Sequence, residues 1–311
     1  MKKLPLLLFG LICTLFTTTV SAQVNPEQAR NFQIDASHTG AISTQHLTPP
    51  LRQRWVVDFG WPVSYPLIAD GKVFVTVKNI PITSGTTLYA LDATNGSTLW
   101  LVNLGGFSFW GAACYENGSV FALNGSGLLR SFDGATGNVN WSVQLPGGFT
   151  FAAPPTVFDG AIYVSGPNAV HKVDAASGAI LWTTPVVSGD KSSPVVTSEG
   201  VYVSYTGTNV YKLDPATGAQ IWNYSEGSGA GGRTPVLYNG ALYVRDSFDF
   251  TQDNIFDAQT GTITGQFSAR NIPAFANNTA FFMDSSFLFA RELIFNSFLW
   301  GFIGDNSLQS G

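Results

Sequence analysis

Few side chains in this sequence are typed and spaced for chemistry. The three histidines, His38, His46 and His171, lie too far apart to share metal-ligand spacing. Asp246, Asp249 and Asp253 could offer hard oxygen ligands to Ca2+. Their spacing matches no EF-type loop, however, and a solvated acidic surface loop is the expected state. No Gly-x-Ser-x-Gly elbow presents a serine nucleophile, so a Ser-His-Asp arrangement would have to assemble in space alone. Cys13 and Cys114 are the two thiols. No catalytic residue and no metal ligand is assigned on this basis.

What recurs instead is a structural signature. Asp92, Gly96 and Trp100 are followed at the same spacing by Asp133, Gly137 and Trp141, by Asp174, Gly178 and Trp182, and by Asp214, Gly218 and Trp222. A fifth copy has Asp257 and Gly261 but Gly265 in place of the Trp, and a sixth runs from Glu292 through Asn296 to Trp300. Successive copies start 41, 41, 40, 43 and 35 residues apart. A second register precedes them, as in Pro66 to Gly71 and Pro155 to Gly160. Its Asx-Gly dipeptide between apolar runs is a hairpin signal, because Gly tolerates the positive φ of the turn. In the Asp-x-x-x-Gly loop the Asp can accept turn amides while Gly closes the turn. Each unit therefore reads as four short strands.

A lone four-stranded sheet cannot bury both faces, so the units must stack, with the large Trp side chains wedged between neighbours. Four-stranded units at this period predict an all-β fold, a β-propeller of tryptophan-docking blades. Six blades are visible. The ring is expected to be incomplete, with Trp55 in an outer strand and residues 301–311 leading towards a further blade. A closed six-bladed ring, with the Trp55 and Trp300 strands against each other, is the alternative. His171 falls where other copies carry Tyr89, Arg130 and Tyr211, a spread that reads as a partly exposed strand position. Cys114 aligns with Leu67, Thr156, Val195 and Val236 and reads as a small buried residue.

The chain opens with Met1-Lys2-Lys3, an apolar run from Leu6 to Phe16, and Val20-Ser21-Ala22. That is the order of a cleavable signal peptide. The expected division is a signal peptide over residues 1–22, an irregular leader over 23–53 and a propeller domain over 54–311. The apolar run is shorter than the roughly 20 residues a membrane span needs, and no later run is longer, so a periplasmic or secreted product without a transmembrane segment is expected. Charged residues make up 11%, the formal charge is −5 and no basic stripe is visible. Nucleic-acid binding is thereby excluded.

The run from Leu88 to Trp100, Leu-Tyr-Ala-Leu-Asp-Ala-Thr-Asn-Gly-Ser-Thr-Leu-Trp, resembles the docking repeat of the PQQ-type (quinoprotein-like) propeller family. The resemblance covers roughly residues 55–306. That family includes dehydrogenases using pyrroloquinoline quinone (PQQ) and a non-enzymatic lipoprotein of the outer-membrane barrel-assembly machinery. For the enzymes it implies a funnel-mouth site with a vicinal disulfide ring, a Trp platform and acidic and amide ligands for Ca2+. With Cys13 in the signal peptide, Cys114 stands alone and that ring cannot form. The resemblance therefore implies a non-enzymatic scaffold without a cofactor, binding a protein or carbohydrate ligand through loops on one face. The alternative is a PQQ-dependent dehydrogenase with Ca2+, or a degenerate relative. Phe107, Phe109, Trp110, Phe149 and Phe151, in links between blades, read as filler, with stacking on a sugar or peptide as the other possibility.

Overall fold

The computed structural model of the chain describes residues 28–42, 50–79, 85–106, 113–147, 151–187, 192–205, 209–225, 233–245, 253–284, 287–294 and 296–303. They hold six four-stranded antiparallel sheets, each a meander whose strands pair in chain order. These blades, one to six, span residues 67–103, 113–144, 156–185, 195–224, 236–267 and 274–303. The fold is an all-β propeller of the PQQ type. No helix among the described residues is long and apolar enough to cross a membrane.

Local turn chemistry builds each sheet. Asp70-Gly71, Asn117-Gly118, Asp159-Gly160 and Asn239-Gly240 all have positive φ at both residues, the type I′ geometry that matches the twist of the flanking strands. Blade six reaches the same turn with Asn277 and Asn278, Asn being among the non-glycine residues that best tolerate it. Between blades, apolar faces interlock: Phe74, Leu88 and Ala90 of blade one bury against Val120, Ala122 and Phe132 of blade two. In every blade the register between the third and fourth strands shifts by one residue, as between Ala90 and Leu91 or Ser131 and Phe132. Such a bulge sharpens the local twist, and it directly follows the residue paired with the Trp position.

The loop after the third strand receives the neighbouring indole. Asp92, Asp133, Asp174, Asp214 and Asp257 accept the amides of Thr94, Thr136, Ser177, Thr217 and Thr260 at 2.7–2.8 Å. The hydroxyl and amide of each of those residues together hold these exposed carboxyls below the ordinary Asp pKa. Gly96, Gly137, Gly178, Gly218 and Gly261 close the loops in the left-handed region, where a Cβ would meet an indole at 2.6–2.8 Å. Each docked ring also donates its Nε1–H to the carbonyl one residue past the loop Asp. Trp100 bonds Gly134 at 3.1 Å, Trp141 bonds Ala175 at 3.0 Å, Trp182 bonds Pro215 at 3.2 Å and Trp222 bonds Ala258 at 3.3 Å. These indoles are half-buried rather than enclosed.

Two tryptophans depart from the pattern. Trp55 lies outside any strand, yet it docks on blade one as the others do, with Nε1 3.0 Å from Ala93 O and its ring over Gly96. Trp300 is 45% exposed and packs on Phe281 within its own blade, on a fourth strand exposed along its whole length. Of residues 301–311, read as the link to a further blade, 301–303 instead complete the fourth strand of blade six, because they pair with its third strand, and 304–311 lie outside the described residues, as do residues 1–22, read as a signal peptide.

Candidate functional site

The first strand of each blade pairs on one side only, which leaves its other edge facing the common centre. An unpaired edge exposes a row of amides and carbonyls that must find partners. Residues 29–39 supply them. Ala29 exchanges two 2.9 Å hydrogen bonds with Ile68 of blade one, and Arg30 O accepts the Tyr115 amide of blade two at 2.8 Å. The Asn31 side chain bonds both backbone groups of Val157 in blade three, at 2.8 and 3.1 Å. Ala36 O, Ser37 O and Thr39 O then accept the amides of Val196, Leu237 and Phe275, in blades four, five and six, at 2.8, 3.0 and 2.7 Å. One thread of chain thus bonds the same register position of all six inner strands.

The thread is held in an unusual conformation. A turn over Asn31 to Ile34 is closed by reciprocal backbone bonds of 3.0 and 3.2 Å, with Ile34 at φ 78°. A β-branched residue in that region is strained, and it persists only where its surroundings over-determine it. Asp35 fixes the second half by accepting the amides of Ser37 at 2.8 Å and Thr39 at 3.2 Å, and the Thr39 hydroxyl. Burial nevertheless pushes its carboxyl above the ordinary Asp range.

His38 is fully buried on the axis. Its Nδ1–H donates to Pro235 O at 3.2 Å, and Nε2 lies 3.4 Å from Thr156 Oγ1 and 3.5 Å from Ser193 Oγ. This contact joins serine and histidine, but it is not a catalytic pair. Ser193 Oγ donates to Pro154 O at 2.9 Å, no carboxylate orients the imidazole, and both residues have 0% exposure. Burial lowers the His38 pKa to about 4, which leaves a weak base that substrate cannot reach.

Where the thread meets the turns of blades two to four, a cavity of about 690 Å³ opens, lined by Arg30, Asp35, Glu116, Phe158, Asp159 and Thr197 among others. Glu116 Oε2 accepts the Gly160 amide at 3.0 Å. Burial raises its pKa, with that hydrogen bond and Arg30 acting the other way. Beside it, Asp70 accepts Gln28 Nε2 at 2.6 Å and the Tyr115 hydroxyl. The charged groups of the lining are Asp35, Glu116 and Asp159 with Arg30, three acids to one base. No group of three His, Cys, Asp or Glu side chains among the described residues is placed to hold a metal.

Other residues singled out in the sequence sit elsewhere. His171 is fully buried, not partly exposed: Nδ1 lies 3.0 Å from Thr183 Oγ1 and the ring packs near Phe151, because that aromatic from the preceding link covers the strand. Burial lowers its pKa to about 4. Asp253 is not in a solvated loop; it opens the third strand of blade five, 1% exposed, and Oδ2 accepts the Ala269 amide at 3.0 Å. Asp246, Asp249, His46, Phe107, Phe109, Trp110 and Phe149 lie outside the described residues. Cys114 is a free thiol in the core of blades two and three, and burial pushes its pKa well up.

Sequence reasoning left residues 23–53 as an irregular leader and missed the thread. The signal that could have found it is slight, an Asn-x-x-x-Asp-x-x-x-Thr spacing of hydrogen-bonding side chains at positions 31, 35 and 39.

The sequence matches the family model described as outer membrane protein assembly factor BamB over residues 34–152 and 125–266. No curated protein matches it in sequence. Among solved structures it resembles BamB from Moraxella catarrhalis at 19% identity and a TM-score of 0.57, covering 77% of this chain and 72% of that one. A europium-containing methanol dehydrogenase gives 12% identity and a TM-score of 0.66, with coverages of 90% and 79%. The quinohemoprotein alcohol dehydrogenase ADHIIG from Pseudomonas putida HK5 gives 12% and 0.69, with coverages of 90% and 67%. At these identities the structural likenesses establish the propeller fold alone.

Proposed function

The chain belongs to the family described as outer membrane protein assembly factor BamB, and from that membership we propose that it is a non-enzymatic propeller scaffold that docks a protein partner at its acidic axial mouth. The proposal places it outside the cytoplasm, in the periplasm or beyond, in support of outer-membrane protein assembly. The observation that carries this reading is the thread: residues 29–39 occupy the inner edges of all six blades, five through backbone bonds and blade three through the Asn31 side chain. The described residues weigh against a quinone enzyme. The dehydrogenases that the repeat resembles carry a vicinal disulfide and a Trp platform at the mouth, whereas Cys114 is the one described cysteine and is buried, and the described cavity lining includes no Trp. The described residues do not fit that form of the cofactor site.

Photo-crosslinking amino acids at Asn117 and Asp159, beside the mouth, should trap an outer-membrane assembly protein in the living envelope, whereas the same group at exposed Leu181 on the rim should not. Equal trapping at both places, or at neither, defeats the reading. In parallel, protein mixed with PQQ and Ca2+ should reduce no redox dye with alcohols or aldoses; turnover would restore the oxidoreductase. A glycan array provides the carbohydrate arm, and selective glycan capture blocked by Asp159→Arg would replace protein with sugar as the ligand.

A further inference from the structure

The docking pattern is broken between blades five and six. Gly265, opposite Ile255 on the fourth strand of blade five, stands where four other blades have their docked Trp. Beside it lies a cavity of about 530 Å³. Tyr243 and Ile255 form its wall on blade five, and Phe282, Phe289, Arg291 and Leu293 form its wall on blade six. That volume is within the range of ligand-binding pockets, and the lining sets the polar Gln266, Ser268, Arg291 and Asn296 beside the aromatic and aliphatic walls, a mixture that suits an indole with its single N–H donor.

The cavity keeps the receiving half of the docking arrangement. Leu293 is one residue past Glu292, the position whose carbonyl accepts an indole in blades one to five. Its amide bonds Asn278 O at 2.9 Å, as the amide of Ala258 bonds Gly240 O at 2.9 Å, which fixes the peptide in the same way. Two features differ. Asn296, at φ 51°, replaces the loop glycine, so its Cβ prevents a ring from lying flush on the loop. Gly265 gives back the space on the other side, because a Cβ there would meet nothing closer than Ile255 Cδ1 at 3.5 Å. Arg291 stands at the slot with its guanidinium 5.8 Å from the Phe289 ring and Nη1 3.2 Å from Asn296 Oδ1.

We propose that this slot is a binding site for a tryptophan side chain supplied by another polypeptide. The ring would enter between the outer edges of blades five and six, its Nε1–H directed to Leu293 O and its face against Phe282 and Phe289. The molecule itself points to the occupant: five indoles, Trp55 included, fill the equivalent slots of the other blades, four of them carried on the fourth strand of a blade. The site is separate from the axial mouth, so it stands or falls independently of the function proposed above.

Ligand-observed NMR with N-acetyl-tryptophanamide as the probe should show saturable binding at one site per chain, and N-acetyl-leucinamide should show none. A short extended peptide carrying a central Trp should bind at least tenfold more tightly than free indole. Gly265→Trp with Asn296→Gly, which refills the slot from within, should cut binding at least tenfold while the melting temperature holds or rises. Gly265→Leu fills the slot with one substitution and should give the same loss if the double variant does not fold. Absence of saturable binding, or binding unchanged by a filled slot, overturns the site. Free indole binding as tightly as the peptide overturns the polypeptide source.

Discussion

The contact between each loop glycine and the indole stacked on it can be measured by adding one methyl group. Gly178 has φ 75°, and a Cβ there would lie 2.6 Å from Trp141 Cε3 and 2.8 Å from Cδ2. An alanine in the left-handed region costs about 1–2 kcal/mol. Displacing the ring adds an overpacking cost of about 1–3 kcal/mol, so Gly178→Ala should destabilise by about 2–5 kcal/mol. Gly160, in the same blade, is the control: at φ 71° with nothing within 4 Å of its Cβ position, it should incur the backbone cost alone. Trp141→Ala removes a half-buried ring and its Nε1–H bond to Ala175, and should cost about 3 kcal/mol, the low end for buried Trp truncation. In that background Gly178→Ala should fall to about 1–2 kcal/mol, because the clash is gone. Equilibrium urea denaturation of the four proteins and the Gly160→Ala control supplies the cycle. Equal costs at Gly160 and Gly178, or an excess at Gly178 that survives without Trp141, would refute the stacking account.

Cys114, at 0% exposure and with its thiol pKa raised by burial, should react with a thiol reagent only after denaturation; rapid labelling of the native protein would contradict the packing described. Stability should also depend on pH through His38. Its pKa is about 4 when folded, against 6.5 for an ordinary His, so the unfolded chain takes up a proton first. The folded state should therefore be fully favoured above pH 6.5 and lose up to about 3 kcal/mol as pH falls towards 4. His38→Asn, which tolerates the φ of 61°, should remove about half of the histidine-linked slope of unfolding free energy in that window, since His171, also lowered to about 4, supplies the rest. An unchanged slope would place the titration elsewhere.

The blades were legible in the sequence because turn chemistry is local. An Asp that accepts amides three residues on, and a Gly that must take positive φ, leave their mark within nine residues, as at Asp174 to Trp182. The thread left almost none. Most of its bonds join backbone to backbone, as from Ala36 to Val196, and a peptide group has no residue type. Ile34 misleads outright, since its side chain argues against the conformation it adopts. His171 was misplaced because its burial comes from Phe151, a residue of another segment that the repeat alignment cannot bring near. Asp253 looked like its acidic neighbours, and only the Ala269 amide, 3.0 Å from its carboxylate, distinguishes it. The missing Trp at position 265 was plain in the sequence; the cavity beside it depended on how Phe282 and Phe289 pack.

The axial thread also bears on the order in which the molecule can assemble. During synthesis residues 29–39 emerge ahead of every blade they bond, and their last partner, Phe275, emerges only after the first five blades. Contacts of such long sequence separation raise contact order and slow folding, since the loop must close before any of them forms. In a nascent chain with one to three finished blades, Ala36 O, Ser37 O and Thr39 O of the thread would still lack their strand partners, which is a state prone to mispairing. Refolding from denaturant should then show a fast phase, in which local meanders form, and a slow one, in which the axis is threaded. Asn31→Ala, which removes the side chain bonded to Val157, should retard the second phase and leave the first unchanged.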